Sequence, residues 1–117
     1  MDKPHLLFVC GRNQWRSPTA EAIYRRDPRF EVRSAGVSPS SARQLSAKDL
    51  EWADLILVME REHKARILER FREHPNLPRI VSLDIPDEYS YMDSELVTLI
   101  RNGTEYHLKN EFGFPEE

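Results

Sequence analysis

Runs of apolar residues, separated by mixed polar stretches, divide this chain into predicted strands and helices. Residues 6–9 and 55–59 are unbroken apolar runs, which is typical of strands buried on both faces of a sheet. Residues 30–35 alternate apolar and polar side chains, as an edge strand does, and residues 80–83 form a short fourth run. The pattern therefore predicts four strands.

Helical patterns lie between these strands. One helix is predicted to begin at Ser17-Pro18 and to end by Arg26. Proline is favourable at the first helical position, because the N–H group that it lacks would have no hydrogen-bond partner within the helix. A second begins at Ser46, where Ser-x-x-Asp resembles a capping box. Strands that alternate with helices imply a parallel sheet of the α/β class.

Two longer helices follow. Residues 60–74 are predicted to be helical, with an apolar face that consists of Ile67, Leu68 and Phe71. The last helix is predicted over residues 93–110, and Gly103 is a candidate point for a break because glycine weakens a helix interior. Residues 84–91 form an acidic, aromatic loop before this helix.

Length and composition indicate one globular domain, spanning residues 1–117. Hydrophobic residues make up 39% of the chain and charged residues 32%. No apolar run reaches membrane-spanning length and residues 1–5 lead directly into a strand, so we expect no membrane contact and no secretory signal. The net charge of −3 argues against general nucleic-acid binding. The sequence leaves the oligomeric state open.

Cysteine and histidine usage narrows the chemistry. The single cysteine excludes an internal disulfide and suits a reducing cytoplasm, where we expect the protein to act. The four histidines have no metal-ligand spacing among them, so we interpret them as surface or packing residues. Neither a metal nor another cofactor is predicted.

That cysteine lies at the end of the first predicted strand, six residues before an arginine. Cys10 is therefore expected at the carboxyl edge of the sheet, and Arg16 at the start of a helix. The backbone between them must curl back, and its N–H groups can point inward at an anion. The same groups stabilise the thiolate, which is the nucleophilic form of cysteine. The predicted phosphate-binding residues are Gly11, Arg12, Asn13, Gln14, Trp15 and Arg16.

Arg16 and Ser17 add two groups suited to phosphate chemistry. The guanidinium is a planar fork that binds two phosphate oxygens, and the hydroxyl can donate a hydrogen bond to the sulfur. Cys-x5-Arg is by itself a weak signal, and the alternative is a buried structural thiol beside a solvated arginine. The preceding strand, the Ser-Pro helix start and Asn13 in the loop favour phosphoryl transfer through a cysteinyl-phosphate.

At these residues the chain resembles the low-molecular-weight protein tyrosine phosphatases. The family loop reads V-C-x-G-N-x-C-R-[ST]-P, and residues 9–18 here read V-C-G-R-N-Q-W-R-S-P. Further matches follow in order at residues 34–36 (SAG), 42–49 (ARQLSAKD), 54–59 (DLILVM) and 85–89 (IPDEY). The resemblance covers most of the chain.

This resemblance implies both a fold and an activity. The implied fold has three layers, with a four-stranded parallel sheet in the order 2-1-3-4 and helices on both faces. The site would lie beside the first strand, at the topological switch point. The implied activity is hydrolysis of aryl phosphate monoesters through a cysteinyl-phosphate, on a phosphorylated protein or a small aryl phosphate, and most readily on phosphotyrosine.

The leaving oxygen needs a proton from a general acid. By sequence alone, Asp84, Asp87 and Asp93 are nearly equal candidates. The resemblance favours Asp87, because residues 86–89 match the family's acid loop, which usually reads Asp-Pro-Tyr. In the second step the same carboxylate would take a proton from water. Glu88 stands where the family usually has proline.

The resemblance also assigns supporting roles. Asn13 would adopt a left-handed backbone conformation and accept support from Ser34, while Tyr89 would form one wall of the slot for an aromatic ring. Ser40 stands where the family has a second supporting side chain, a histidine.

Two departures from the family concern the rim of the site. Trp15 replaces the second loop cysteine, so an oxidised Cys10 cannot be protected by an intramolecular disulfide. Roughly two dozen residues that the family carries before residue 42 are missing, and this segment contacts substrate. We therefore expect a shallower pocket on that side.

Three alternatives to a phosphotyrosine phosphatase stay open. The shortened segment is compatible with a phosphatase for a non-protein ester. A thiol-dependent arsenate reductase would need an external thiol, because this chain has no further cysteine. A non-catalytic phosphate-binding module is the third, although the nucleophile, the arginine and a plausible acid argue against it.

Overall fold

The computed structural model of the protein describes residues 3–115. The predicted domain over residues 1–117 extends beyond this range. The prediction of no secretory signal used Met1 and Asp2, which lie outside the described residues. Within residues 3–115, strands and helices alternate as β1 (His5–Cys10), α1 (Arg16–Tyr24), β2 (Glu31–Gly36), α2 (Ala47–Trp52), β3 (Leu55–Val58), α3 (Arg61–Arg70), β4 (Arg79–Ser82) and α4 (Ser94–Phe112).

The four strands form one parallel sheet in the order β2-β1-β3-β4. The fold class and strand order predicted from the sequence are thus confirmed. β1 pairs with β2 on one side, where Cys10 lies opposite Gly36, and with β3 on the other, where Val9 lies opposite Val58. Cys10 therefore ends a central strand at the point where the strand order reverses, which is where sheets of this class bind ligands.

Successive residues of β1 point to opposite faces of the sheet and belong to two separate cores. Leu6, Phe8 and Cys10 pack with residues of α1 and α4, including Tyr24 and Ile100. The other face of β1 packs with residues of α2 and α3; its members include Leu7, Val9, Leu50 and Ile67. The predicted three-layer arrangement follows from this alternation.

The boundaries of two helices differ from the predicted ones. α1 begins at Arg16, so Pro18 occupies its third position rather than its first; the first four N–H groups of a helix lack partners, so proline is tolerated there as well. α3 ends at Arg70, not at residue 74. Leu68 is 43% exposed, so its predicted place on the buried face is wrong; His63, one turn before Ile67, is buried there instead.

Gly103 does not interrupt α4, which continues to Phe112. A Cβ atom at this glycine would lie 2.9 Å from Cδ2 of Leu83. The glycine therefore allows α4 to pack closely on the segment after β4, which the sequence pattern could not show.

No helix within residues 3–115 is long and apolar enough to cross a bilayer.

Gly36 is a second glycine whose backbone lies close to other parts of the chain, and its replacement should affect stability. A Cβ atom there would lie 2.1 Å from Oγ of Ser41 and 2.8 Å from the backbone carbon of Arg12. Because backbone cannot yield cheaply, Gly36→Ala is expected to lower the free energy of unfolding by about 1–3 kcal/mol, the usual cost of overpacking. Urea denaturation measures this change. Gly11→Ala is the control, since its Cβ would meet only Nε2 of His63 at 3.7 Å; equal losses in both variants would contradict the packing explanation.

Candidate active site

The loop after β1 is held from outside by the segment that follows β2. Backbone N–H groups of residues 37–42 donate to the carbonyl oxygens of Cys10, Gly11 and Arg12, at 3.0, 2.8 and 3.1 Å respectively. A trans peptide directs each C=O opposite to the following N–H. The N–H groups of residues 11–13 therefore point away from this segment, as an anion-binding loop requires.

Asn13 holds the same loop from inside. Its φ is 53°, the left-handed conformation that the family resemblance implied. Its Nδ2 donates to Oγ of Ser17 at 2.9 Å and to Oγ of Ser34 at 3.0 Å. Ser34 in turn donates to Oε1 of Glu21 at 2.5 Å. Ser40 hydrogen-bonds Ser38 rather than Asn13, so the additional support comes from Glu21, which the sequence pattern does not indicate.

Cys10 and Ser17 form a buried pair. The sulfur lies 2.9 Å from Oγ of Ser17, and the two residues are 3% and 0% exposed. Ser17 already accepts a hydrogen bond from Asn13, and its alternative acceptor, the carbonyl of Ala35, is farther away at 3.4 Å. We infer that the hydroxyl donates to the sulfur, which stabilises the thiolate.

Arg16 is fixed by groups from two other loops. Its Nη1 donates to Oε2 of Glu60 at 2.7 Å and to the carbonyl of Ile85 at 2.8 Å, and the arginine is 4% exposed. Its Nε lies 3.7 Å from Oδ1 of Asp87. A guanidinium has five N–H donors, so Nη2 remains for a phosphate oxygen.

His63 lies beside this arginine. The sequence pattern indicates only a surface or packing role for this histidine. It is 4% exposed, and its Nδ1 accepts a hydrogen bond from the backbone N–H of Glu60 at 3.1 Å. This bond assigns the neutral tautomer with the proton on Nε2. Burial, and then the positive charge of Arg16, lower the pKa of His63. The Glu-x-x-His capping box at the start of α3 was the available sequence signal.

These groups line a polar cavity of about 490 Å³ above Cys10. Five predicted phosphate-binding residues line it, whereas the side chain of Asn13 turns away to Ser17. The lining residues are Cys10, Gly11, Arg12, Gln14, Trp15, Arg16, Ser38, Glu60, Glu62, His63, Arg66 and Asp87.

The three candidate acids occupy different positions. Asp87 lines the cavity and its side chain is 61% exposed. Asp84 accepts a hydrogen bond from Ser82 and lies 3.4 Å from Nε of Arg61, both outside the cavity lining. Asp93 is the N-cap of α4. Its side chain accepts hydrogen bonds from the first turn of that helix.

The predicted aromatic wall lies elsewhere. Tyr89 packs against the core formed with α1 and α4 and is not among the cavity residues. Among the phenylalanine, tyrosine and tryptophan side chains of residues 3–115, that of Trp15 lines the cavity, and it is 44% exposed. The loop after β4 directs Tyr89 inward, which sequence alone could not decide.

The same described range contains no cluster of three or more histidine, cysteine, aspartate or glutamate residues arranged to hold a metal ion.

Comparisons with known proteins agree with this fold, although no family model matches the chain. A protein-arginine-phosphatase from Geobacillus stearothermophilus is 33% identical over 92 residues, which take in 58% of this chain and 62% of that relative. The match thus spans less than two thirds of the relative's length. Because 58% of 117 residues is far fewer than 92, the alignment contains a gap in this chain, which agrees with the predicted shortening.

Solved structures extend the likeness to nearly the whole chain. The YwlE arginine phosphatase from Geobacillus stearothermophilus is 27% identical, with a TM-score of 0.69 over 97% of this chain and 99% of that one. A low-molecular-weight protein tyrosine phosphatase from Streptococcus pyogenes has a TM-score of 0.75 over 93% of each chain; at 18% identity it shows the fold alone. The fold is therefore that of these phosphatases. The chain is thus similar over nearly its whole length to solved phosphatases, among them one named a low-molecular-weight protein tyrosine phosphatase.

His63 generates a prediction about pH. Its folded-state pKa lies below the ordinary value, so the unfolded chain binds this proton first as the pH falls. The stability that neutral His63 contributes is present above about pH 6.5 and is lost as the pH falls through the folded pKa. We expect His63→Gln to reduce the drop in unfolding free energy between about pH 7.5 and pH 5.5. Urea denaturation at both pH values checks this, and His74→Gln, outside the cavity, should keep the drop of the native protein.

Proposed function

We propose that this protein is a cysteine-dependent phosphatase that acts on phosphorylated proteins, with phosphotyrosine as the preferred residue. The observation that carries the proposal is the buried Cys10 sulfur, 2.9 Å from the Ser17 hydroxyl, below a cavity whose wall includes Arg16 and Asp87.

The reaction assigns one task to each group. The Cys10 thiolate attacks phosphorus, so an S–P bond forms while the P–O bond to the leaving group breaks. The loop N–H groups and Arg16 bind the oxygens that carry the charge. Asp87 protonates the leaving oxygen and then takes a proton from the water that attacks the cysteinyl-phosphate. Ser17 stabilises the thiolate when it leaves.

Trp15 supports an aromatic phosphoester. Its half-exposed indole lines the cavity, where it can pack on the face of a ring bound above Cys10. This indole would take the place of the wall that the sequence analysis assigned to Tyr89.

Phosphoarginine in proteins is the second candidate. Three carboxylates line the cavity, from Glu60, Glu62 and Asp87, and a guanidinium beside the phosphoryl group would be attracted to them. The sequence comparison and the structure comparison each find an arginine phosphatase from Geobacillus stearothermophilus. Non-protein esters remain an alternative for the same cavity. Arsenate reduction would still require a thiol from outside the chain.

The substrate experiment compares four phosphorylated compounds. Native protein should hydrolyse p-nitrophenyl phosphate, and its kcat/KM should be higher for a phosphotyrosine peptide than for a phosphoarginine peptide or an alkyl phosphate. Cys10→Ser should lose turnover by roughly 10³-fold or more, because the nucleophile is removed. It should still bind vanadate, because the loop N–H groups and Arg16 remain.

The outcomes separate the candidates. Hydrolysis of phosphoarginine faster than phosphotyrosine would indicate that phosphoarginine is the preferred substrate. Hydrolysis of the alkyl phosphate faster than either peptide would indicate a non-protein ester. More than a tenth of native turnover in Cys10→Ser would contradict the cysteinyl-phosphate mechanism, since losing a nucleophile costs far more.

The role of Asp87 can be tested by varying the leaving group. Asp87→Ala should slow phosphotyrosine hydrolysis by roughly 10²-fold, the scale of general acid catalysis, and should slow an activated aryl ester less, because a good leaving group departs without a proton. Asp84→Ala is the matched control, since Asp84 faces Ser82 and Arg61. If the control shows the leaving-group dependence and Asp87→Ala does not, Asp84 is the acid.

A further inference from the structure

A second cavity, of about 410 Å³, lies next to the one above Cys10 and is mainly apolar. We call it the α3 groove. It runs between α3 and the segment after β2. Its lining residues are Val37, Pro39, Gln44, Leu45, Glu62, Ala65, Arg66, Ile67, Glu69, Arg70 and Phe71.

The groove exists because the connection from β2 to α2 is short. Residues 37–46 contain no helix, and they cover only part of the core face that α3 and α2 share. Leu45 and Ile67 form a buried floor, while Phe71 remains partly exposed at the far end. An apolar concavity of this size can accommodate one large aliphatic or aromatic side chain.

The α3 groove adjoins the catalytic cavity. Glu62 and Arg66 line both, so they form the ridge between the two. From Glu62 to Arg70 the helix rises by about 12 Å, at 1.5 Å per residue. An extended peptide covers that distance in about three to four residues. A peptide with its phosphorylated residue above Cys10 can therefore place a nearby side chain in the groove.

We propose that the α3 groove is a substrate subsite that binds an apolar side chain two to four residues from the phosphorylated residue of a protein. Charges at its rim are balanced, with Glu62 and Glu69 against Arg66 and Arg70, so apolar contact rather than charge selects the occupant. This inference rests on the proposed function, because it requires a phosphorylated protein substrate.

The test uses paired phosphopeptides that differ only in leucine or serine at positions two to four on either side of the phosphorylated residue. That residue is phosphotyrosine or phosphoarginine, whichever the native protein hydrolyses faster. We expect a leucine peptide to have a kcat/KM about tenfold higher than its serine partner, because partial burial of a leucine gives about one factor of ten. Ala65→Gln fills the groove from the exposed face of α3 and should abolish this preference.

Two controls make the result specific. Leu68→Gln introduces the same side chain on α3 outside the groove lining and should keep the preference. Turnover of p-nitrophenyl phosphate, which does not reach the groove, should be unchanged in Ala65→Gln. A preference that survives Ala65→Gln, or equal rates for all paired peptides, overturns the proposal. So does dimerisation of the native protein that Ala65→Gln abolishes, since the groove would then bind a second copy.

Binding to Cys10→Ser, measured by fluorescence polarisation with the same peptides, separates this inference from the proposed function. Leucine-dependent binding without any turnover by the native protein would refute the phosphatase and leave the subsite. Turnover without leucine dependence in either assay would refute the subsite and leave the proposed phosphatase activity.

Discussion

The site depends on hydrogen bonds that fix one short loop from two sides. Carbonyl oxygens of residues 10–12 accept N–H groups from residues 37–42, which orients the loop amides in the opposite direction. On the other side, Asn13 ties the loop to Ser17 and Ser34. Because both sets are buried or backbone bonds, the loop is held in position before any anion arrives, so little reorganisation is needed on binding.

Arg16 shows how the remaining groups are arranged around that loop. Glu60, at the end of β3, and the carbonyl of Ile85, after β4, hold one terminal nitrogen of the guanidinium. Three loops at the carboxyl edge of the sheet thus meet at one side chain. The ion pair between Arg16 and Glu60 lowers the net positive charge near Cys10, so the cavity has both cationic and anionic walls.

Much of the architecture is already present in the pattern of residues. Unbroken apolar runs identify the central strands β1 and β3, and the Ser-x-x-Asp sequence marks the start of α2. Cys10, Arg16 and Ser17 could be predicted as neighbours because a strand, a short loop and a helix start leave little freedom between them. These features are local, so the order of residue types determines them. The family motif added the strand order and the choice of Asp87.

Contacts between distant segments could not be inferred in this way. His63 joins the site from α3, and Glu21 reaches across from α1 to Ser34 in β2. Tyr89 packs against the core, and α4 continues through Gly103 because this glycine packs on Leu83. Each outcome depends on which surfaces meet in the tertiary structure. The sequence by itself determined the strands, the helices and the loop at Cys10, whose interactions are short-range. The tertiary structure decided which further side chains, such as those of Glu60 and His63, complete the cavity, because packing across the sheet sets their direction.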